Sequence, residues 1–206
     1  AAGLESGFLS YHSQESQEEE DLLVSGTGAM YENRKRSGMS TPPVTGESSL
    51  KYFLDRLAAV KAAPYDEHIL LVHNVCLQQS DVDAIKKAMK NPFFAVCTLS
   101  NIFIHNALPP IELMRRNGLD IAIGTDSLSS NDDLDMMKEI LCLHSNFPDV
   151  PMAEIFTWAS LNGARFLKKE DILGTLTPGK CPGLVLVTDV DDRGFVTEKS
   201  RSMRLI

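Results

Sequence analysis

His68-Ile69-Leu70-Leu71-Val72-His73-Asn74-Val75 is a nearly continuous apolar run, of strand length, that closes on a histidine and an asparagine. A strand with one wet face alternates apolar and polar residues; a run without alternation fits a strand buried on both faces of a parallel sheet. Working outward, Asp120-Ile121-Ala122-Ile123-Gly124-Thr125-Asp126 and Phe93-Phe94-Ala95-Val96-Cys97 have the same texture, and Gly7-Phe8-Leu9-Ser10-Tyr11-His12 is a shorter apolar and aromatic strand. Helix-forming stretches separate them, and β/α repeats of this kind imply right-handed crossovers and a parallel sheet.

The helices are marked by caps and periodicity. Gln14 to Leu23 is acidic and helix-forming, and Met30 to Arg36 is a short candidate helix before a loop from Ser37 to Glu47. Leu50, Phe53, Leu54 and Leu57 lie at i, i+3, i+4 and i+7 behind Ser48 and Ser49, which predicts a capped amphipathic helix ending near Ala63-Pro64. Ser80 is expected to cap the next helix, whose apolar face is Val82, Ile85 and Met89 and whose end is Asn91-Pro92. Pro109-Pro110 opens a short helix that Asn117-Gly118 closes, and two more are expected over Asp133 to Leu143 and Met152 to Lys168. After Lys169 the texture turns to β, with a turn-rich segment from Gly174 to Lys180 and two candidate strands. The expected fold class is therefore α/β. Residues 1–169 read as repeated β/α units, and residues 170–206 as part of a small β-domain or an edge extension.

Bulk properties narrow the partners. A closed eight-stranded β/α barrel takes about 250 residues, so if this chain is a barrel, part of it is absent from the 206 residues. A net charge of −8 without a Lys/Arg cluster argues against nucleic acid and anionic membrane surfaces. No apolar run reaches the roughly 18 residues of a membrane span. Cys76, Cys97, Cys142 and Cys181 are spaced singly and read as reduced core thiols of a cytoplasmic protein. The default partner is a small molecule.

Three of the strands end in side chains able to bind metal or move protons: His12 followed by Glu15, His73, and Asp126. Each also fits a plain structural role. His12 and Glu15 could belong to a solvated acidic helix start, His73 could be a packed core histidine, and Asp126 could cap a turn. Jointly they favour a site, since strand ends of a β/α protein converge on one mouth. His68, His105 and His144 lack this placement and read as surface or packing residues, and Trp158, Met136, Met137 and Phe156 as core.

His12-Ser13-Gln14-Glu15, Leu70-Leu71-Val72-His73-Asn74, Cys97-Thr98-Leu99-Ser100-Asn101 and the stretch from Ala107 to Ser127 occur in an order that resembles the amidohydrolase superfamily, specifically its metal-dependent deaminase and chlorohydrolase branch. Asn162 to Leu167 and Gly174 to Val187 are similar to the helix and β-sandwich return that close such proteins. The resemblance implies that residues 1–169 are the second half of a (β/α)8 TIM-type barrel, its strands five to eight, and that residues 170–206 are part of a small β-sandwich forming a C-terminal extension. It also implies that His12 and Asp126 bind a divalent metal, zinc first and iron or manganese as alternatives. Glu15 would shuttle a proton, His73 would support the attacking water, and Asp126 would take that water's proton. The reaction implied is hydrolytic deamination, dechlorination or amide hydrolysis of a heterocyclic small molecule. The superfamily's His-x-His pair has no counterpart in the chain, so the chain alone is expected to be inactive, to bind metal weakly, and to self-associate or pair with a missing N-terminal half. Two alternatives stay open: a non-catalytic assembly fragment, and a metal-free α/β domain that binds a small ligand.

Overall fold

The computed structural model describes residues 7–61 and 63–206. The chain divides into two compact units, one comprising residues through Phe94 together with Ala107–Leu119, the other Ala95–Asn106 together with Asp120–Ile206.

The first unit opens with β1 (Phe8–Ser13), followed by α1 (Gln17–Val24), the exposed α2 (Gly28–Arg36), α3 (Ser49–Ala58) and β2 (Tyr65–His73). It continues with α4 (Gln79–Ala88), most of β3 (Met89–Val96) and α6 (Ile111–Arg116). Strands β1 and β2 are parallel, with His12 opposite Val72 and Ser13 opposite His73. The expected cap at Ser48 is present, its Oγ accepting from the Lys51 amide at 3.2 Å, and Ser16 caps α1 in the same way, accepting from the Glu19 amide at 3.2 Å. Leu50, Ile69, Leu71, Val82, Ile85, Phe94, Ile111 and Met114 are all buried, so the periodic positions picked from the sequence form the core.

The second unit contains the end of β3, α5 (Thr98–His105), β4 (Asp120–Ile123), α7 (Met136–Asn146), α8 (Met152–Ala159), α9 (Leu161–Phe166) and the antiparallel pair β5 (Val185–Thr188) and β6 (Arg201–Arg204). The Gly124 amide donates to the Val96 carbonyl at 3.0 Å. Strand order is β1-β2-β3-β4, with β5-β6 a separate sheet. The fold is thus α/β with a parallel sheet.

Several boundaries differ from expectation. Helix α4 is capped by Gln78 instead of Ser80, because the Asp81 carboxylate reaches back to the Gln78 amide in a capping box. That helix stops at Ala88, and Met89, read as a helical position, begins β3. The segment expected as one helix from Met152 to Lys168 breaks at Ser160, whose φ and ψ of −135° and −73° are not helical. Cys181 is exposed rather than a core thiol, since it lies in the turn-rich stretch after Gly174; Cys97 is buried, and all four cysteines are free. Among the described residues no helix is long and apolar enough to cross a membrane.

Candidate active site

In the first unit the sequence brings three candidates together. Gln14, His73 and Asn74 all adopt positive φ, at 51°, 73° and 56°. Left-handed backbone at non-glycine residues concentrates at sites where surrounding structure enforces it. Here the enforcement is visible: the Asn74 amide donates to the Ser13 carbonyl at 2.8 Å, the Cys76 amide to the Gln14 carbonyl at 3.1 Å, and Asn74 Nδ2 to the Leu71 carbonyl at 2.8 Å. The two strand ends are thereby tied together beyond the sheet. The rings of His12 and His73 lie 5.2 Å apart between centroids, tilted by 38°. His73 Nε2 lies 3.7 Å from Glu15 Oε1. His12 is exposed, Glu15 half-buried and His73 fully buried.

A buried carboxylate supports this corner from behind. Asp81 accepts from Gln14 Nε2 at 3.1 Å, from the Gln78 amide at 3.0 Å and from Ser48 Oγ at 2.6 Å. It therefore joins the turn after β1 to the starts of α3 and α4. Glu19 accepts from the Glu15 amide at 2.9 Å, and Glu20 from Ser49 Oγ at 2.5 Å. Burial holds the Glu19 and Glu20 carboxyls above their ordinary range, and these hydrogen bonds offset part of that rise.

In the second unit Asp126 follows β4 with φ of 56° and is half-buried. Its turn role differs from a simple backbone cap: Oδ2 accepts from Ser100 Oγ at 2.8 Å and from Ser130 Oγ at 2.6 Å. Gly124 keeps the approach tight, since a Cβ there would meet Cys97 Sγ at 3.1 Å. Nearby, the fully buried Glu139 accepts from Thr98 Oγ1, the Leu99 amide and Asn131 Nδ2 at 2.6, 3.1 and 3.0 Å. Burial pushes its carboxyl up as well, with those donors acting in the opposite sense.

Gln14, Asp81, Ser100, Ser130, Asn131 and Glu139 were not singled out by sequence reasoning. Ser130-Asn131 and Thr98 to Asn101 stood beside candidates and could have been flagged as hydroxyl and amide donors. Asp81 and Glu139 gave no such sign, being polar positions on ordinary amphipathic helices. His68 packs on the rings of Phe8 and Phe93, and His144 on Phe195, which gives both a packing role.

An α/β sheet that presents imidazole and carboxylate groups at its strand ends defines the class of β/α proteins that work at that end of the sheet. Residues 27–200 match the family model described as the amidohydrolase family, and the chain belongs to that family. A 5-methylthioadenosine/S-adenosylhomocysteine deaminase of Moorella thermoacetica is 34% identical over 129 residues, covering 59% of this chain and 30% of that protein. The protein of the same description from Thermoanaerobacter pseudethanolicus is 26% identical over 157 residues, covering 73% of this chain and 34% of that protein. The chain thus spans about a third of the length of these curated relatives. A solved structure of Helicobacter pylori aminofutalosine deaminase in complex with methylthio-coformycin superposes with a TM-score of 0.71 at 24% identity, covering 88% of this chain and 43% of that one. A zinc-bound adenosine deaminase from Xanthomonas campestris gives 0.63 at 23% identity, covering 90% and 38%. These two likenesses establish the fold.

Proposed function

We propose that this chain is part of a metal-dependent hydrolase that deaminates an adenine nucleoside or a related heterocycle, with Glu15, His73 and Asp126 as catalytic groups and His12 and Asp126 as metal ligands. The observation that carries the reading is the 3.7 Å approach of Glu15 to His73, beside His12, at the end of two parallel strands. The donor chemistry fits a divalent ion: imidazole nitrogen and carboxylate oxygen are the ligands zinc takes in catalytic sites, and iron or manganese accept the same set. The related deaminases favour deamination over dechlorination or amide hydrolysis.

His12 and Asp126 would hold the divalent ion, which when bound would supply a water that ionises near neutral pH. Asp126, whose carboxylate accepts from Ser100 and Ser130, would take that water's proton. His73, buried and next to Glu15, orients the attacking oxygen. Glu15, half-exposed at the mouth, delivers a proton to the ring nitrogen as the oxygen adds to the amino-bearing carbon. Asp126 would then pass its proton to the amino group, which leaves as ammonia, while the added hydroxyl returns its proton to Glu15 and the carbon becomes a carbonyl.

Two ligands are half of a tetrahedral set, so we place the rest on a His-x-His pair this chain does not contain, and expect the 206-residue chain alone to be inactive. In this reading residues 1–169 are the second half of a (β/α)8 barrel and residues 170–206 part of a β-sandwich. The outer edges of β1 and β4 then seek a partner, either the remaining strands or a second copy. Four free cysteines suit a cytoplasmic location.

The test is turnover by the full-length protein, followed by the ultraviolet change from an adenine to a hypoxanthine ring with methylthioadenosine and adenosine. Deamination lost on Glu15→Gln and Asp126→Asn supports the reading. Full turnover by both variants sinks it and leaves an assembly role for these strand ends.

A further inference from the structure

Glu139 is fully buried, yet no step proposed above uses it. A buried carboxylate is costly unless its lone pairs are taken up, so what takes them up reveals what it is for. Its three donors come from two segments. Thr98 Oγ1 and the Leu99 amide begin α5, and Asn131 Nδ2 lies in the turn after β4.

Each segment leads to Asp126. One residue beyond Leu99, Ser100 Oγ donates to Asp126 Oδ2 at 2.8 Å. One residue before Asn131, Ser130 Oγ donates to the same oxygen at 2.6 Å. Asn131 Nδ2 also donates to the Thr125 carbonyl at 2.9 Å, fixing the backbone immediately before Asp126. Two arms thus run from one buried carboxylate and close on a single oxygen of another. They enclose a residue whose backbone sits in the left-handed region.

We propose that Glu139 is a positioning residue for Asp126. It clamps the start of α5 and the 125–131 turn so that Ser100 and Ser130 hold the Asp126 carboxylate in one orientation. The functional part of this inference rests on Asp126 being a metal ligand and proton acceptor. The clamp itself does not. The carboxylate is needed because it accepts on both oxygens. Glutamine keeps one acceptor for Thr98 and Leu99 but turns an amide N–H2 toward Asn131 Nδ2, a donor already facing Thr125. Glu139→Gln therefore opens the Asn131 arm and leaves the Thr98 arm closed, whereas Glu139→Ala opens both.

Hydrogen exchange on the 206-residue chain tests the clamp. Protection of amides in 124–131 should fall about tenfold or more in Glu139→Gln, with 97–106 and the β1–β2 peptides unchanged. Asn131→Ala should give the same pattern, which keeps the test available if Glu139→Ala fails to fold. Unchanged exchange at 124–131 in both Glu139→Gln and Asn131→Ala, or a uniform loss across the chain, overturns the proposal. Visible spectra of the cobalt-substituted full-length protein test the functional part. Glu139→Gln should shift the d–d bands and weaken cobalt binding about tenfold, with Asp126→Asn weakening it further. Asp126→Asn with undiminished cobalt binding would refute the metal reading of Asp126 and the functional part with it, whatever the exchange data show. Bands and affinity unchanged in Glu139→Gln while Asp126→Asn loses cobalt would refute Glu139 alone.

Discussion

His73 Nε2 stands 3.7 Å from Glu15 Oε1, a buried imidazole facing a half-exposed carboxyl across two parallel strand ends. The separation in sequence is large, but the register that sets Ser13 opposite His73 makes the approach a consequence of strand pairing. It places a half-exposed carboxyl just past the end of β1 beside a fully buried imidazole at the end of β2.

If Glu15 carries that proton, Glu15→Gln keeps the shape and removes the chemistry. Turnover by the full-length protein should drop by about 10²-fold to 10⁴-fold. Metal content, read by mass spectrometry, should stay at the wild-type level because Glu15 is not a ligand. A parallel loss of metal would move Glu15 into the ligand set.

If His12 and Asp126 hold the proposed metal, activity depends on it. Dialysis of the full-length protein against a chelator should abolish deamination, and zinc should restore it. In His12→Ala and Asp126→Asn, zinc should rescue activity only at concentrations raised on the order of 100-fold. Undiminished activity after verified metal removal would argue for a metal-free site.

Asp81 should matter for stability more than for chemistry. Replacing it with alanine strands Gln14 Nε2, the Gln78 amide and Ser48 Oγ, which should cost about 3 kcal/mol. Asp81→Asn should cost only about 1 kcal/mol. Its amide oxygen can still accept from Gln14 and Gln78, while its N–H2 donates to Ser48 Oγ. Urea unfolding of the three proteins reads the difference, and equal losses for the two variants would contradict the bonding described.

Cys76 offers a pH readout. Burial first, then the charges of Glu20, Glu19, Glu18 and Asp21, push its thiol up to about 11. Both effects disfavour the thiolate, so its reactivity grows as pH rises toward that value and is low at neutral pH. At pH 8 iodoacetamide should label it tens of times more slowly than an ordinary thiol of pKa about 8.5. Exposed Cys181 should take up label first. Peptide mapping over time checks the order, and early labelling of Cys76 would refute the shift.

Much of this was legible from residue order. The run from His68 to His73 became β2, Leu50, Leu54 and Leu57 became the buried face of α3, and Ile111 and Met114 became that of α6, because burial follows periodicity. Other elements escaped local reading. Thr98 to His105 is rich in β-branched and apolar residues, yet forms α5, where the Glu139 carboxylate receives its first free donors. Met89 fits a helical face and pairs instead in β3. In both places tertiary partners outweighed propensity.

The sequence by itself determined the alternation of strands and helices, the cap at Ser48, and the placement of His12 and His73 at the ends of β1 and β2 and of Asp126 shortly after β4, since each depends on neighbours within a few residues. Only the tertiary structure decided that Gln14 meets Asp81, that Glu15 faces His73, and that Glu139 reaches both segments holding Asp126. Those pairs are 67, 58 and up to 41 residues apart, as the positions show. Buried hydrogen bonds need angstrom-scale approach, which chain folding sets and local sequence does not encode.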